Sequence, residues 1–129
     1  MMVLDASAAL ELLLRTPGGT RLAERLERGE PVHAPHLIDI EVAHALRRLV
    51  RTGLLDSRRG AEVLQDLADL DVDRHPHTLL LPGVWQWRHN LTAYDAAYVV
   101  LAEVLGQPLV TGDARMAAAP RLPIDVERI

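Results

Sequence analysis

The chain has 129 residues, of which 49% are hydrophobic and 25% are charged, and its formal net charge is −4. This length and composition predict a single globular domain over residues 1–129 and exclude an intrinsically disordered chain. Cysteine is absent, which excludes disulfides and thiolate metal sites, and all 14 basic residues are arginine, which excludes chemistry that needs a lysine.

Short apolar segments alternate with longer amphipathic segments along the chain. We predict strands over residues 2–4, 31–34, 72–74, 109–111 and 124–126. Helices are predicted over residues 7–14, 20–28, 37–51, 57–70, 79–89, 92–105 and 113–119, with a turn at 16–19 and a cap at Ser57. Because short strands separated by helices are typical of covered parallel sheets, the expected fold is a three-layer α/β/α sandwich around a central parallel sheet.

The N-terminal residues contain no basic segment, and Asp5 and Glu11 interrupt their apolar run. We therefore predict neither a signal peptide nor a membrane-spanning helix, and the expected location is the cytoplasm. No linker, repeat or low-complexity segment divides the chain into further domains.

Two acidic residues follow predicted strands. Asp5 ends the first strand, and Asp113 follows the fourth strand after one glycine. In open parallel sheets the functional site lies outside the carboxyl ends of the strands, where both acids are expected. Each has an alternative role, because an aspartate in this place also caps the next helix. Ser7 could serve as the first cap instead of Asp5.

Two further acids lie on predicted helices. Asp95 flanks the apolar stripe of helix 92–105, whereas Glu103 falls on the solvated side, and Asp95 also fits a capping box that begins at Thr92. Glu41 lies at one edge of the inward face of helix 37–51, where an ordinary surface acid is an equal alternative. Asp39, at the opposite edge of this face, is a weaker candidate than Glu41 for the same role. The predicted stripe of helix 92–105 consists of Tyr94, Ala97, Tyr98, Leu101, Val104 and Leu105.

Together, Asp5, Glu41, Asp95 and Asp113 form a candidate metal site. Carboxylates without histidine or cysteine partners suit hard cations such as Mg²⁺ or Mn²⁺. A cation also relieves the repulsion between neighbouring acids. The chain has 18 acidic residues, so setting these four aside leaves 14 against 14 basic residues. The acidic net charge therefore does not exclude RNA as a partner.

The six histidines form no spacing that predicts a metal site. The nearest pattern is the pair His75 and His77 in a predicted loop, which we interpret as solvated polar surface. The few aromatic residues predict no platform for stacked bases, so backbone and shape would dominate the recognition of any RNA.

Four segments match the pattern of a known family. They are MVLDASA at residues 2–8, PHLIDIE at 35–41, LTAYDAAYVVLAE at 91–103 and LVTGDAR at 109–115. In this order and spacing they resemble the PIN-domain ribonucleases, and within them the VapC toxins of bacterial toxin–antitoxin pairs. The third segment is the most specific, and the set spans nearly the whole chain.

The resemblance implies an endoribonuclease toxin that cleaves RNA, often transfer or ribosomal RNA, with Mg²⁺ or Mn²⁺, and leaves 5′-phosphate and 3′-hydroxyl ends. It also implies a VapB-like antitoxin that blocks the acidic site, and a homodimer. Some relatives carry a further acid after the last one, but Arg115 and Met116 follow here. Matched residue by residue, the family's acids fall on Asp5, Glu41, Asp95 and Asp113, and its small hydroxyl residues beside the site fall on Ser7 and Thr111.

Arginines are the candidate RNA contacts. Five of them cluster in sequence between two helices, at Arg47, Arg48, Arg51, Arg58 and Arg59, and Arg115 follows the last site acid. An ordinary solvated face is the alternative interpretation for most of them. Trp85 and Trp87 are candidates for a protein interface or for the core.

Other α/β domains also carry acids at strand ends. A phosphoacceptor receiver domain needs a paired early acid and a late lysine, which this chain lacks, and a haloacid-dehalogenase-type phosphatase needs a second aspartate where Ser7 stands. The remaining alternative is a catalytically degenerate PIN-like module that only binds a partner. Loss of a site acid would favour that alternative, and all four are present.

Overall fold

The computed structural model describes residues 1–129 as five short strands and seven helices. The strands are β1 (Met2–Leu4), β2 (Val32–Pro35), β3 (Asp73–His75), β4 (Leu109–Thr111) and β5 (Val126–Arg128). The helices are α1 (Ala6–Leu14), α2 (Pro17–Glu27), α3 (Leu37–Arg51), α4 (Ser57–Asp69), α5 (Leu81–Gln86), α6 (Ala93–Leu105) and α7 (Ala114–Ala117).

All five strands form one parallel sheet in the order β3-β2-β1-β4-β5. The central strand β1 is fully buried, as expected for an apolar strand covered on both faces. The chain builds outward from β1 through β2 and β3, and then returns to add β4 and β5 on the other side. The strand order therefore reverses between β1 and β4, and at such a point a crevice opens beyond their carboxyl ends.

Helices cover the two faces of the sheet, which confirms the predicted three-layer sandwich. Helices α1 to α4 pack against one another, whereas α6 packs on β1, β2 and β4 and is accompanied by α5. Right-handed crossovers in opposite directions place these two groups on opposite faces. As a result, α3 and α6 approach the crevice from different sides of the sheet.

Helix α6 is the most buried helix, and its predicted stripe is only partly correct. Residues 96–102 are all buried, so this stretch is enclosed on every side. By contrast, Tyr94 and Val104, which were assigned to the inward stripe, are 60% and 70% exposed. The pattern of the sequence could not separate them, because a helix that is apolar all round has no defined inward stripe. Glu103 is exposed, as predicted.

Several predicted boundaries are wrong by a few residues. The stretch 16–19 is not a turn but the start of α2, with Thr16 accepting the Gly19 amide and Pro17 in the first turn. Asp56, not Ser57, caps α4. The last strand is shifted from 124–126 to Val126–Arg128, and α5 is shorter than the predicted helix 79–89.

Of the two histidines predicted to be solvated surface, His77 is exposed as expected and His75 is half-buried at the edge of the sheet. His33 on β2 is buried, and its Nδ1 lies 2.9 Å from Nε2 of His75 on the neighbouring strand β3. The Nε2 atom of His77 accepts the backbone amide of Leu37 at 2.8 Å, and so satisfies a free amide at the start of α3. These rings have structural roles at the β2–β3 edge.

None of the helices combines the length and the apolar character needed to cross a bilayer.

Candidate functional site

Asp5 is a buried carboxylate at the end of the central strand. Its Oδ1 atom accepts hydrogen bonds from the Ser7 hydroxyl at 2.6 Å and from the Ala8 amide at 2.9 Å, so Asp5 does cap α1. Its Oδ2 atom accepts only the hydroxyl of Thr111, from the end of β4. A carboxylate oxygen can accept two hydrogen bonds, so one acceptor position on Oδ2 stays available.

Two hydroxyl groups orient Asp5 and are oriented in turn by the loop after β4. The Gly112 amide donates to Ser7 Oγ at 2.8 Å, and the Asp113 amide donates to Thr111 Oγ1 at 3.0 Å. The Ser7 and Thr111 hydroxyls both donate to Asp5. Their oxygens lie 3.2 Å apart, and neither has a hydrogen left to donate to the other. These bonds lock the loop after β4 to the start of α1.

Asp113 lies beside this network and caps the short helix α7. Its Oδ1 atom accepts the Arg115 amide at 2.8 Å, and its Oδ2 atom lies 3.5 Å from the guanidinium of Arg115. The Arg115 side chain is 86% exposed, so solvent screens this ion pair strongly. The capping role and the position at the crevice are therefore compatible in Asp113, as they are in Asp5.

Glu41 and Asp95 reach the crevice from the two helical layers. Glu41 on α3 is half-buried, and its Oε1 atom accepts the hydroxyl of Tyr98 from α6 at 2.7 Å. Asp95 lies in the first turn of α6, where its amide donates to the Thr92 cap at 3.1 Å. Asp39 is not a rival, because its carboxylate forms a bidentate pair with Arg74 at 2.9 and 3.0 Å.

Three of the four acids, Asp5, Glu41 and Asp95, have raised pKa values. Burial is the main cause of the raised pKa of Asp5, Glu41 and Asp95, and it outweighs the hydrogen bonds that favour their charged forms. Repulsion adds to it: Asp113 acts on Asp5 and Asp95, while Asp95 and Asp5 act on Glu41. The predicted quartet is therefore one electrostatic unit at the crevice between β1 and β4.

The quartet does not form a closed cage. No three histidine, aspartate or glutamate side chains converge tightly enough to surround an ion by direct contact. The donors are nevertheless all carboxylate oxygens, which suits Mg²⁺, since this ion usually keeps several waters and binds proteins through one or two carboxylates. The donor chemistry therefore fits a hydrated divalent cation.

Two contributions to the site were missed in the sequence. The apolar pattern of α6 predicts only a packing role for Tyr98. A buried tyrosine hydroxyl needs a polar partner, however, and this requirement was the available signal for a contact such as the one with Glu41. Glu11, one turn after Ser7, accepts the Thr16 hydroxyl at 3.0 Å. Its carboxylate also lies where a side chain at Gly112 would begin, so Glu11 packs against the loop after β4.

The sequence and the fold were compared with those of known proteins. Residues 2–122 match the PIN domain family. Ribonuclease VapC12 of Mycobacterium tuberculosis is 43% identical over 129 residues, which cover 100% of this chain and 99% of that protein. Ribonuclease VapC1 of the same species is 41% identical over 128 residues, which cover 98% of this chain and 96% of that protein. The chain belongs to the VapC ribonucleases of the PIN-domain family.

A solved structure agrees with the VapC fold. The crystal structure of VapBC2 from Rickettsia felis, bound to a DNA fragment from its promoter, superposes with a TM-score of 0.71. The match covers 99% of this chain and 98% of that one, at 9% sequence identity. At this identity the likeness shows the fold alone, and it confirms the α/β architecture of this VapC protein.

The raised pKa values predict an unusual dependence of stability on pH. Because Asp5, Glu41 and Asp95 bind protons more tightly in the folded chain, their favourable contribution is present below about pH 4 and is lost as the pH rises through their folded pKa values. In EDTA, the Asp95→Asn variant should show a smaller fall in the free energy of unfolding between pH 4 and 7 than the wild type. Urea denaturation at each pH measures this fall.

The control is Glu103→Gln, which removes the same charge from an exposed position of the same helix. It should leave the pH dependence as in the wild type. An Asp95→Asn variant whose unfolding free energy falls as steeply as that of the wild type would contradict the raised pKa of Asp95.

Proposed function

We propose that this protein is a divalent-metal-dependent endoribonuclease toxin that uses Asp5, Glu41, Asp95 and Asp113 to cleave RNA. Membership of the VapC ribonucleases supports the activity. The observation that carries the site is the electrostatic coupling of four carboxylates at the point where the strand order reverses. A cluster of this kind is costly without a cation, and it is suited to holding one.

The proposed cation is Mg²⁺, with Mn²⁺ as the substitute. When bound, a divalent cation neutralises the phosphate oxygens and increases the acidity of water at the site. Asp5 offers the free acceptor position on Oδ2, already oriented by Ser7 and Thr111. Asp95 and Asp113 supply further oxygens, and Glu41 supplies the oxygen that Tyr98 does not engage.

A metal assay tests the site and the activity together. Bulk transfer RNA and ribosomal RNA should be cleaved with Mg²⁺, and cleavage should stop in EDTA. Asp5→Asn and Asp95→Asn should lower the rate by about 100-fold, since loss of a ligand removes both binding and orientation. Sequencing of the RNA ends gives the cleavage position and checks for 5′-phosphates.

Glu103→Gln is the matched control and should retain the wild-type rate. The Asp5→Asn preparation also reveals any contaminating nuclease. Full activity in EDTA would refute the metal mechanism, and an inactive wild type on every RNA would favour the degenerate binding module.

The arginines of α3 form the proposed track for the RNA backbone. Along one exposed flank of the helix, Glu41 is followed by His44, Arg48 and Arg51, with Arg47 beside them. No carboxylate pairs with these three arginines, whereas Arg58 and Arg59 on α4 are paired with Glu62, and Arg59 also with Asp66. Arg47, Arg48 and Arg51 line a groove together with His44 and Thr52.

The length of this track sets the expected length of bound RNA. Arg51 lies ten positions after Glu41, which is about 15 Å along a helix. At about 3.4 Å per nucleotide of a stacked strand, the track accommodates about four nucleotides on one side of the acids. Arg115, beside Asp113 at the acids themselves, is a further proposed phosphate contact.

A salt titration tests the track. The triple variant Arg47→Gln/Arg48→Gln/Arg51→Gln should bind a 12-nucleotide single-stranded RNA more weakly and with a flatter salt dependence. The slope of log affinity against log salt should fall by about 2, because each lost phosphate contact contributes about 0.7 for a single strand. Fluorescence anisotropy in EDTA measures binding without cleavage.

The chain offers a control with the same loss of charge. Arg21, Arg28 and Arg128 are also exposed and unpaired, and they lie on other elements. Their triple glutamine variant should keep the wild-type slope. Equal slopes for the two triple variants would indicate that net charge, and not the α3 track, controls binding.

A second copy of the chain is the proposed partner of an apolar surface beside the crevice. Leu37, Ile40 and Tyr94 line one groove next to Glu41, and Leu37 and Tyr94 continue into another with Leu81. Ile40, Leu81, Tyr94 and Trp85 are all more than half exposed, whereas Trp87 packs against the core. Apolar residues in such number indicate an interface, and family membership favours a homodimer.

The dimer is tested by size-exclusion chromatography with light scattering. We expect a dimeric wild type and a monomeric Ile40→Glu variant, since a buried charge would weaken the interface. Val104 is equally exposed, at 70%, and lies at the far end of α6, so Val104→Glu should remain dimeric. A monomeric wild type, or equal effects of both variants, would contradict this surface.

The proposed antagonist is a VapB-type antitoxin that covers the acids and places a basic side chain among them. The acids offer an uncompensated negative site, which a cationic side chain could occupy in place of a metal ion. Suppression of RNA cleavage by the product of an adjacent reading frame tests this partner. The cytoplasm stays the predicted location.

A further inference from the structure

Tyr98 joins the two helical layers above the central strand. Its ring belongs to α6 and is 2% exposed, yet its hydroxyl donates to Glu41 Oε1 on α3 at 2.7 Å. This hydrogen bond therefore links α6, which carries Asp95, to α3, which carries Glu41.

Three acids of the quartet, Asp5, Asp113 and Glu41, accept hydrogen bonds that orient their carboxylates, and Glu41 depends on Tyr98 alone. Ser7 and Thr111 hold Asp5, and the Arg115 amide holds Asp113. Glu41 has the longest side chain of the four and does not cap a helix. Its carboxylate accepts no other hydrogen bond from the protein.

The ring of Tyr98 alone does not explain a tyrosine at this position. An apolar side chain of similar size would fill the core equally well and would leave no buried hydroxyl in need of a partner. The hydroxyl is satisfied only because it reaches the acidic cluster. The tyrosine is therefore suited to a role at the site rather than to packing.

We propose that Tyr98 is a positioning residue, whose hydroxyl holds one oxygen of Glu41 and so keeps this carboxylate beside the acids that would hold a hydrated cation. The inference rests on the proposed metal-dependent function. Without the hydroxyl, Glu41 can rotate away from the site, so the protein should bind the cation less tightly although all four acids are present.

A double-mutant cycle tests this role through Mn²⁺ binding, measured by calorimetry on the protein without RNA. Tyr98→Phe keeps the ring and should weaken Mn²⁺ binding by about 10-fold, the effect typical of losing a group that orients a ligand. In the Glu41→Gln background, the same substitution should have no further effect. The cleavage rate of bulk transfer RNA should follow the same cycle.

Glu41→Asp provides a second variant in case Tyr98→Phe folds poorly. Its carboxylate is too short to keep the hydrogen bond with Tyr98, so it should weaken Mn²⁺ binding to a similar extent. Urea denaturation of each variant reports any loss of stability separately from the loss of binding.

Two results would overturn the proposal. Wild-type Mn²⁺ affinity in Tyr98→Phe would show that Glu41 needs no positioning, and an equal loss in both backgrounds would show that Tyr98 acts through packing. Failure of the metal-dependent function is distinguishable, because the wild-type protein itself would then neither bind Mn²⁺ nor cleave RNA.

Discussion

The burial of Asp5 at the end of the central strand is the constraint on which the site depends. A carboxylate in this place loses its hydration, so it must find donors within the protein. Ser7, Ala8 and Thr111 supply them, and they come from the two elements that flank the crevice. The hydrogen bonds that replace the lost hydration of Asp5 therefore connect the start of α1 to the end of β4, and these two elements form the base of the proposed site.

Capping and the proposed metal binding would use the same physical property in this protein. A helix N-terminus presents unpaired amides to a carboxylate, which fixes the orientation of its oxygens. Asp5 and Asp113 each give one oxygen to a cap, and the other oxygen faces its neighbours. The two roles, which compete as interpretations of a sequence, are combined in one side chain. The capping hydrogen bond therefore also restricts the orientation of a carboxylate that is proposed to bind a metal ion.

The surroundings of the acids divide the surface into regions with different chemistry. Unpaired arginines extend along α3 on one side, and exposed apolar side chains of α3, α5 and α6 lie on the other. Both regions include or adjoin Glu41, which lies where they meet. Under the proposed function, RNA would approach the acids along the arginines of α3, and a second copy of the chain would pack on the apolar side.

The sequence alone determined the layered α/β fold and the order of its elements, because strand ends, glycine stops and helical spacing are local signals, and it marked the four acids as candidates. It also identified Ser7 and Thr111 through resemblance to the family. Only the tertiary structure decided that the Asp39 carboxylate is paired with Arg74 and that the Tyr98 hydroxyl donates to Glu41. The exposure of Tyr94 and Val104 was likewise decided only by the tertiary structure. These contacts join residues that are far apart in the chain. Because α6 is apolar on every side, its sequence does not indicate which of its faces packs against which neighbouring element.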